Sequence, residues 1–148
     1  MTGVQTCALP IYLRKYVTFH DGHPFDSGDV LFPYNSIMNP KGTSPRKSNY
    51  EPVKNAEVLG PHKIRFTYKR LFSPAFGSWA MGILPEHLLN RERLIAEANE
   101  RGRDVNAFTL RDSNFGRHPI GPGPFTFAGW KSDALLRLNR NPTYCERP

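Results

Sequence analysis

The chain of 148 residues has no apolar run longer than a few residues, which excludes a transmembrane helix. It also lacks the nucleophile-elbow, paired-carboxylate and cysteine–histidine patterns that many enzymes carry, so we do not expect an enzyme. Basic residues outnumber acidic ones by 20 to 13, but they are scattered, and no RNA-reading pair of aromatics accompanies them. The charge leaves a small basic nucleic-acid-binding domain as an alternative function.

The composition is that of a folded domain with many turns. Hydrophobic residues make up 39% of the chain and aromatic residues 12%, which is enough for a packed core and argues against a disordered chain. The 14 prolines and 12 glycines favour short elements and turns over a long helical bundle.

The first eleven residues, MTGVQTCALPI, carry no charge and no periodic pattern. They resemble one reading frame of a common short-read sequencing-library adapter, which predicts that residues 1–11 are an artefact outside the fold. The alternative is an apolar N-terminal strand. Without this segment Cys145 is the single cysteine, so no internal disulfide is expected. We therefore expect a partial chain whose natural start, with any signal segment, is missing.

Five segments are predicted to be strands: residues 12–20, 56–59, 63–69, 125–130 and 135–140. Residues 12–20 alternate loosely and are rich in β-branched and aromatic residues, which is typical of a strand. The second and third flank a turn at residues 60–62, and the last two flank residues 131–133, so each couple predicts a hairpin. Ile64, Phe66 and Tyr68 alternate with polar residues and are expected on one buried face.

Two longer helices are predicted. One starts at a cap offered by residues 26–27 and ends at Asn39, with Pro33 inside it expected to bend or break it. The other lies between Pro85, which suits a first helical position, and Gly102, which suits a stop. Loops or irregular connections are expected over residues 41–49 and 105–118. The mixture predicts an α+β fold.

Three motifs follow one another along the chain. Residues 17–25 read VTFHDGHPF, residues 83–88 read ILPEHL after a hairpin, and residues 119–125 read PIGPGPF before Trp130. In this order they resemble the family 5 extracellular solute-binding proteins, the dipeptide, oligopeptide and nickel receptors of ABC importers. Three positions depart from the family pattern: Pro122 replaces the usual threonine, Cys145 an aromatic residue, and Pro33 a small polar residue.

The resemblance implies a fragment of a two-lobed periplasmic binding protein of type II, similar to cluster C. Residues 12–118 would form the small subdomain of the first lobe, and residues 119–148 the start of the return to its main sheet. Peptides or similar small solutes are the implied ligands and the permease subunits of an ABC transporter the implied partners, with no cofactor. The implied protein is a membrane-associated but not membrane-embedded monomer in the periplasm or outside the cell.

The resemblance also indicates candidate ligand-binding residues, because the segments that hold them lie towards the ligand cleft in this family. They are Tyr50, Ser78, Trp79 and Met81. Tryptophan and tyrosine combine a large apolar face with one polar group, which suits contact with a peptide. The alternative is that these residues pack in the core or at its rim.

Two further segments each allow a chemical and a structural interpretation. His20, Asp21 and His23 could bind a metal, but their spacing matches no strong metal motif, and turn formation is the alternative. Residues 121–124 (GPGP) could form a phosphate loop, but they lack the Lys-Ser/Thr pair and the following helix, so a rigid crossing is preferred. No metal or catalytic site is therefore predicted.

Overall fold

The computed structural model of the protein describes residues 7–40 and 44–146. In chain order its elements are β1 (Ala8–Tyr12), α1 (Gly28–Met38), α2 (Lys47–Tyr50), β2 (Val53–Gly60), β3 (Lys63–Tyr68), α3 (Ala75–Ser78), α4 (Glu86–Leu89), α5 (Arg91–Glu100), a 3-10 helix (Asn114–Gly116), β4 (Phe125–Lys131) and β5 (Leu135–Arg140). This mixture confirms the α+β class. Among the described residues, no helix is long and apolar enough to span a bilayer.

The chain divides into two compact units that alternate along the sequence. Unit 1 contains the described residues up to 15 and residues 26–83, and unit 2 contains residues 16–25 and those from 84 onward. The assignment of residues 12–118 to a small subdomain of a first lobe stays a prediction.

Unit 1 is built on a three-stranded antiparallel sheet in the order β1-β3-β2. Strand β3 is central, and its Ile64, Phe66 and Tyr68 are completely buried while the residues between them are half-buried. The first predicted hairpin and its buried face are therefore confirmed. Val30 of α1, Tyr50 of α2 and the start of β2 complete the core of this unit.

Strand β1 corrects the expectation for the N-terminal segment. Residues 8–11 were expected outside the fold, yet they pair with β3, and Leu9 and Ile11 are half-buried opposite Phe66 and Ile64. Pro10 is compatible with this strand because β1 lies at the sheet edge, where a missing N–H is tolerated. Residues 1–6 lie outside the described part, and the adapter origin of the segment stays a hypothesis.

The strand expected over residues 12–20 is wrong beyond Tyr12, where β1 ends. The backbone turns at residues 15–16, and Tyr16 has a φ of 63°, which a strand cannot accommodate. Beyond this turn, the β-bridge that the structure describes for residues 17–20 is an isolated one between Thr18 and Pro24.

Helix α1 begins after Ser27 and ends before Asn39, as predicted. Pro33 lies inside α1 without breaking it. Pro33 and Val30 are both buried, and the packing of this face offsets the hydrogen bond that proline cannot make. The Ser27 hydroxyl donates to the Gly60 carbonyl at 2.7 Å instead of capping the helix.

Two helical predictions need correction. The loop expected over residues 41–49 contains the start of α2, whose last residue, Tyr50, is buried; residues 41–43 lie outside the described part. The helix expected between Pro85 and Gly102 is two helices, because Asn90 is extended. The Asn90 side chain instead accepts the Arg93 N–H at 3.0 Å and caps α5. Pro85 precedes α4 rather than opening it, whereas Gly102, with a φ of 59°, stops α5 as expected.

Unit 2 ends in the predicted hairpin of β4 and β5. Its cross-strand pairs Phe127–Leu138 and Trp130–Leu136 share one face, and every residue of β5 is exposed.

Candidate ligand-binding site

The structure brings Tyr50, Ser78 and Trp79 together in unit 1. Tyr50 ends α2, Ser78 ends α3, and Trp79 follows at once, so two short helices position the three residues. The ring centroids of Tyr50 and Trp79 lie 5.2 Å apart. Met81 lies two residues farther, with its backbone N–H donating to the Trp79 carbonyl at 2.8 Å, and it is half-buried.

These rings belong to a larger group, which we name the aromatic cluster. Its members are Tyr34, Tyr50, Phe66, Tyr68 and Trp79. The Trp79 ring covers Phe66 at a centroid distance of 3.6 Å, and Tyr34 contacts Tyr50, Phe66 and Trp79 at 5.7–6.0 Å. The cluster is therefore an extension of the sheet core to the surface at Trp79.

Three polar groups of the aromatic cluster bond to one another or to the adjacent 75–79 segment. Tyr50 donates its hydroxyl to the Ser78 carbonyl at 2.7 Å, and Trp79 donates its indole N–H to the Tyr68 hydroxyl at 2.7 Å. The Tyr68 and Ser78 hydroxyls in turn donate to the Ala75 carbonyl at 3.3 and 2.8 Å. These bonds hold the 75–79 segment on the sheet. They are important there because α3 buries no side chain of its own.

Burial also changes the acidity of the cluster. Desolvation raises the pKa of Tyr34 above its ordinary value, and the nearby Tyr68 adds to the effect. Desolvation likewise raises the pKa of Tyr50, against a smaller opposing influence of Arg46. Both phenols therefore stay neutral, and nothing in these shifts indicates a catalytic base.

The four predicted residues thus differ in how much of their surface is exposed to solvent. Tyr50 is 1% exposed, and its hydroxyl is engaged, so it supports the site rather than lining it. Trp79, Ser78 and Met81 are half-buried and leave part of their surface to solvent. Phe76, in the 75–79 segment, and Leu71, before it, are strongly exposed, which the sequence did not predict.

A second cluster, in unit 2, joins two of the sequence motifs and was not predicted. We name Asp21, His23 and His87 the carboxylate–histidine cluster. His87 Nε2 lies 2.7 Å from the Asp21 carboxylate, and the His23 ring stacks on His87 at a centroid distance of 3.7 Å. Sequence spacing gave no signal for His87, because it is 66 positions from Asp21.

The acidity of Asp21 reflects these contacts. Partial burial acts to raise its pKa, but the hydrogen bonds from the His87 side chain and the His23 backbone N–H lower it, with a net result below the ordinary value. Asp21 therefore remains an ionised acceptor for His87.

The turn interpretation of residues 20–24 is confirmed. The Asp21 side chain accepts the His23 backbone N–H at 3.1 Å, and Gly22 has a φ of 87°, a conformation that favours glycine. Within residues 7–40 and 44–146 there is no group of three or more histidine, cysteine or acidic side chains arranged to hold a metal ion.

The 121–124 loop is tied down by residues distant in sequence. His20 contacts Gly121 and Gly123, and the buried Asn141 donates its side-chain N–H to the Gly123 carbonyl at 3.0 Å. The backbone N–H of Gly121 is already donated to His20, so the loop does not offer the row of unengaged amides that a phosphate loop needs.

Comparison with known proteins gives a consistent result. The oligopeptide-binding protein AppA of Bacillus subtilis is 31% identical over 144 residues, which are 94% of this chain and 24% of that protein. The solved structure of the same B. subtilis protein with a nonapeptide matches with a TM-score of 0.75 at 28% identity, over 93% of this chain and 25% of that one. NikZ from Campylobacter jejuni, solved with Ni(L-His), matches with a TM-score of 0.73 at 29% identity, over the same shares.

The chain thus spans about a quarter of the length of the relatives it matches. The family model for bacterial extracellular solute-binding proteins, family 5, matches residues 7–148, which is nearly the whole chain. The resemblance carried by the three motifs is confirmed, and the chain belongs to the family 5 bacterial extracellular solute-binding proteins.

Proposed function

We propose that this chain is part of the substrate-binding component of an ABC importer, which captures peptides or similar small solutes outside the membrane and delivers them to the permease. The observation that carries the proposal is the match to the family model over residues 7–148. The likeness to AppA in complex with a nonapeptide supports a peptide as the ligand. None of the relatives described above is named as a nucleic-acid-binding protein or as an enzyme.

The proposed mechanism follows from the two-lobed design that the family resemblance implies. Ligand bridges the lobes, stabilises their closed arrangement and so shifts an open–closed equilibrium that the permease reads. The protein acts by binding alone, as a monomer that needs no cofactor. It works in the periplasm or at the cell surface, in association with the membrane.

We place part of the ligand contact at Trp79, with Ser78 and Met81 beside it and Tyr50 behind. Support comes from the half-exposed Trp79 ring, which Phe66 and Tyr50 hold in place from the buried side. An aromatic face fixed in this way can stack on a peptide side chain at little cost in conformational entropy.

The isolated chain should bind peptide only weakly, because it spans about a quarter of its relatives. Losing half of a micromolar binding free energy of about −8 kcal/mol leaves millimolar affinity. We would titrate the ¹⁵N-labelled chain with a mixed pool of di- to pentapeptides and follow its amide and indole resonances. The expected result is a saturable shift centred on residues 78–81, with a dissociation constant of about a millimolar.

The two tryptophans provide a matched control. Trp79→Phe should abolish the indole shift and weaken the shifts at residues 78–81, whereas Trp130→Phe, in the exposed hairpin of unit 2, should leave them unchanged. Shifts that centre on Trp130, or none at all, would contradict the assigned site. A dissociation constant of about a micromolar or below would show that this chain is a complete binding module, against the proposed partial role.

A further inference from the structure

His20 holds the 121–124 loop through both of its ring nitrogens. Its Nε2 lies 3.0 Å from the Gly123 carbonyl oxygen, and its Nδ1 lies 3.3 Å from the Gly121 backbone nitrogen. The backbone of His20 adds a third bond, since its N–H donates to the Gly121 carbonyl at 3.1 Å. The first and third sequence motifs are thus joined at one side chain.

The two contacts determine which ring nitrogen carries the proton. A carbonyl oxygen can only accept, so Nε2 must donate a hydrogen to Gly123. A backbone N–H can only donate, so Nδ1 must present its lone pair to Gly121. His20 is therefore the neutral Nε2–H tautomer when both bonds are made.

Protonation cannot preserve this arrangement. A proton on Nδ1 would face the Gly121 N–H, and two donors would then meet at the place of a hydrogen bond. A protonated imidazole can only donate, so the Gly121 N–H loses His20 as its acceptor. Asn141 would still hold the Gly123 carbonyl, so the change is local to the start of the loop.

We propose that His20 is a positioning residue, whose neutral ring fixes the Gly121 N–H of the 121–124 loop and whose protonated ring gives up that hydrogen bond. The test below therefore spans the interval of about pH 5 to 8, in which histidine side chains ordinarily change charge.

The neighbouring cluster is held by a separate bond. The Asp21 carboxylate can only accept, so His87 donates its Nε2 hydrogen to it, while the buried His87 Nδ1 has no hydrogen-bond partner in the part of the chain that the structure describes. The titratable or charged groups of the segments that meet here are Asp21, His23, Glu86, His87, Arg140, Tyr144 and Glu146.

The test is heteronuclear NMR on the full chain. Long-range ¹H–¹⁵N spectra of the histidine rings should show His20 as the Nε2–H tautomer at about pH 8. The exchange protection factor of the Gly121 amide, corrected for the intrinsic rate at each pH, should fall about tenfold between about pH 7.5 and pH 5.

His20→Asn supplies a matched variant, because its side-chain oxygen can accept from Gly121 but does not titrate near neutral pH. The protection factor of Gly121 should then be independent of pH, whereas His118→Asn, at an exposed histidine, should keep the dependence of the natural chain. An Nδ1–H tautomer, constant protection in the natural chain, or a dependence that survives in His20→Asn would overturn the proposal. The tautomer and the pH profile of the natural chain decide the matter even if the variant does not fold.

Discussion

Replacement of Phe66 by alanine tests whether the inner face of the β1-β3-β2 sheet holds unit 1 together. Phe66 is completely buried, and its ring lies under Trp79 and beside Tyr34. Removing a buried phenyl group forfeits about 1.5–3 kcal/mol of transfer free energy. The cavity that remains between two fixed rings raises the expected loss to about 3–5 kcal/mol.

Urea denaturation followed by tryptophan fluorescence measures this loss. A Trp130→Phe background leaves Trp79, the residue that covers Phe66, as the single reporter. The denaturation midpoint should fall while the slope of the transition stays constant, because the surface exposed on unfolding changes little. Phe66→Leu keeps most of the apolar volume and should lose less free energy of unfolding. It can replace Phe66→Ala in the measurement if the alanine variant does not fold.

Thr67→Ala is the control at the next position of β3, on the other face of the sheet. It should cost less than about 1 kcal/mol, the range of strand propensities at partly exposed sites. A loss below about 1 kcal/mol for Phe66→Ala, or an equal loss for both variants, would refute the assignment of the buried face.

Three other predictions follow from the structure. Deleting residues 1–11 should lower the free energy of unfolding by more than about 1 kcal/mol, because β3 loses its β1 neighbour. An unchanged melting temperature would instead support the hypothesis that this segment lies outside the fold. The free energy of unfolding should fall as pH rises above about 10, the unfolded pKa of tyrosine, because burial raises the pKa of Tyr34 and Tyr50 in the folded state. In Tyr50→Phe the melting temperature should fall less steeply with alkaline pH. Asn90→Ala should cost about 1 kcal/mol by removing the cap of α5, and circular dichroism melts should show no such loss for Asn99→Ala, at an exposed position near the end of that helix.

The local sequence pattern was sufficient to predict the two hairpins and helix α1. Alternation in residues 63–68 reports directly on burial, and the polar residues 26–27 and the Asn39 stop mark the two ends of α1. Strand β1 was only the alternative to the adapter hypothesis, because residues 1–11 show no periodic pattern and resemble an adapter frame, whereas its pairing with β3 is a tertiary contact. The division at Asn90 was missed because the apolar residues on either side of it fit one continuous helical stripe.

The sites were less predictable than the elements. Family resemblance pointed to Tyr50 and Trp79, but their contact depends on two short helices whose positions are set by tertiary hydrogen bonds. His87 and His20 lie within the quoted motifs, yet nothing in sequence spacing indicates that they meet Asp21 and the 121–124 loop. Such pairings form only when distant segments are brought together by the fold.

The sheet order of unit 1 has a consequence for the route by which the chain folds. Strands β2 and β3 are joined by a two-residue turn and can pair quickly, whereas more than 50 residues separate β1 from its partners in β3. Closing the longer loop costs more chain entropy, so β1 should dock after the hairpin has formed. During synthesis from the N-terminus, the strand that leaves the ribosome first is then the last of the three to find its place, and its apolar residues remain accessible to chaperones until β3 has emerged.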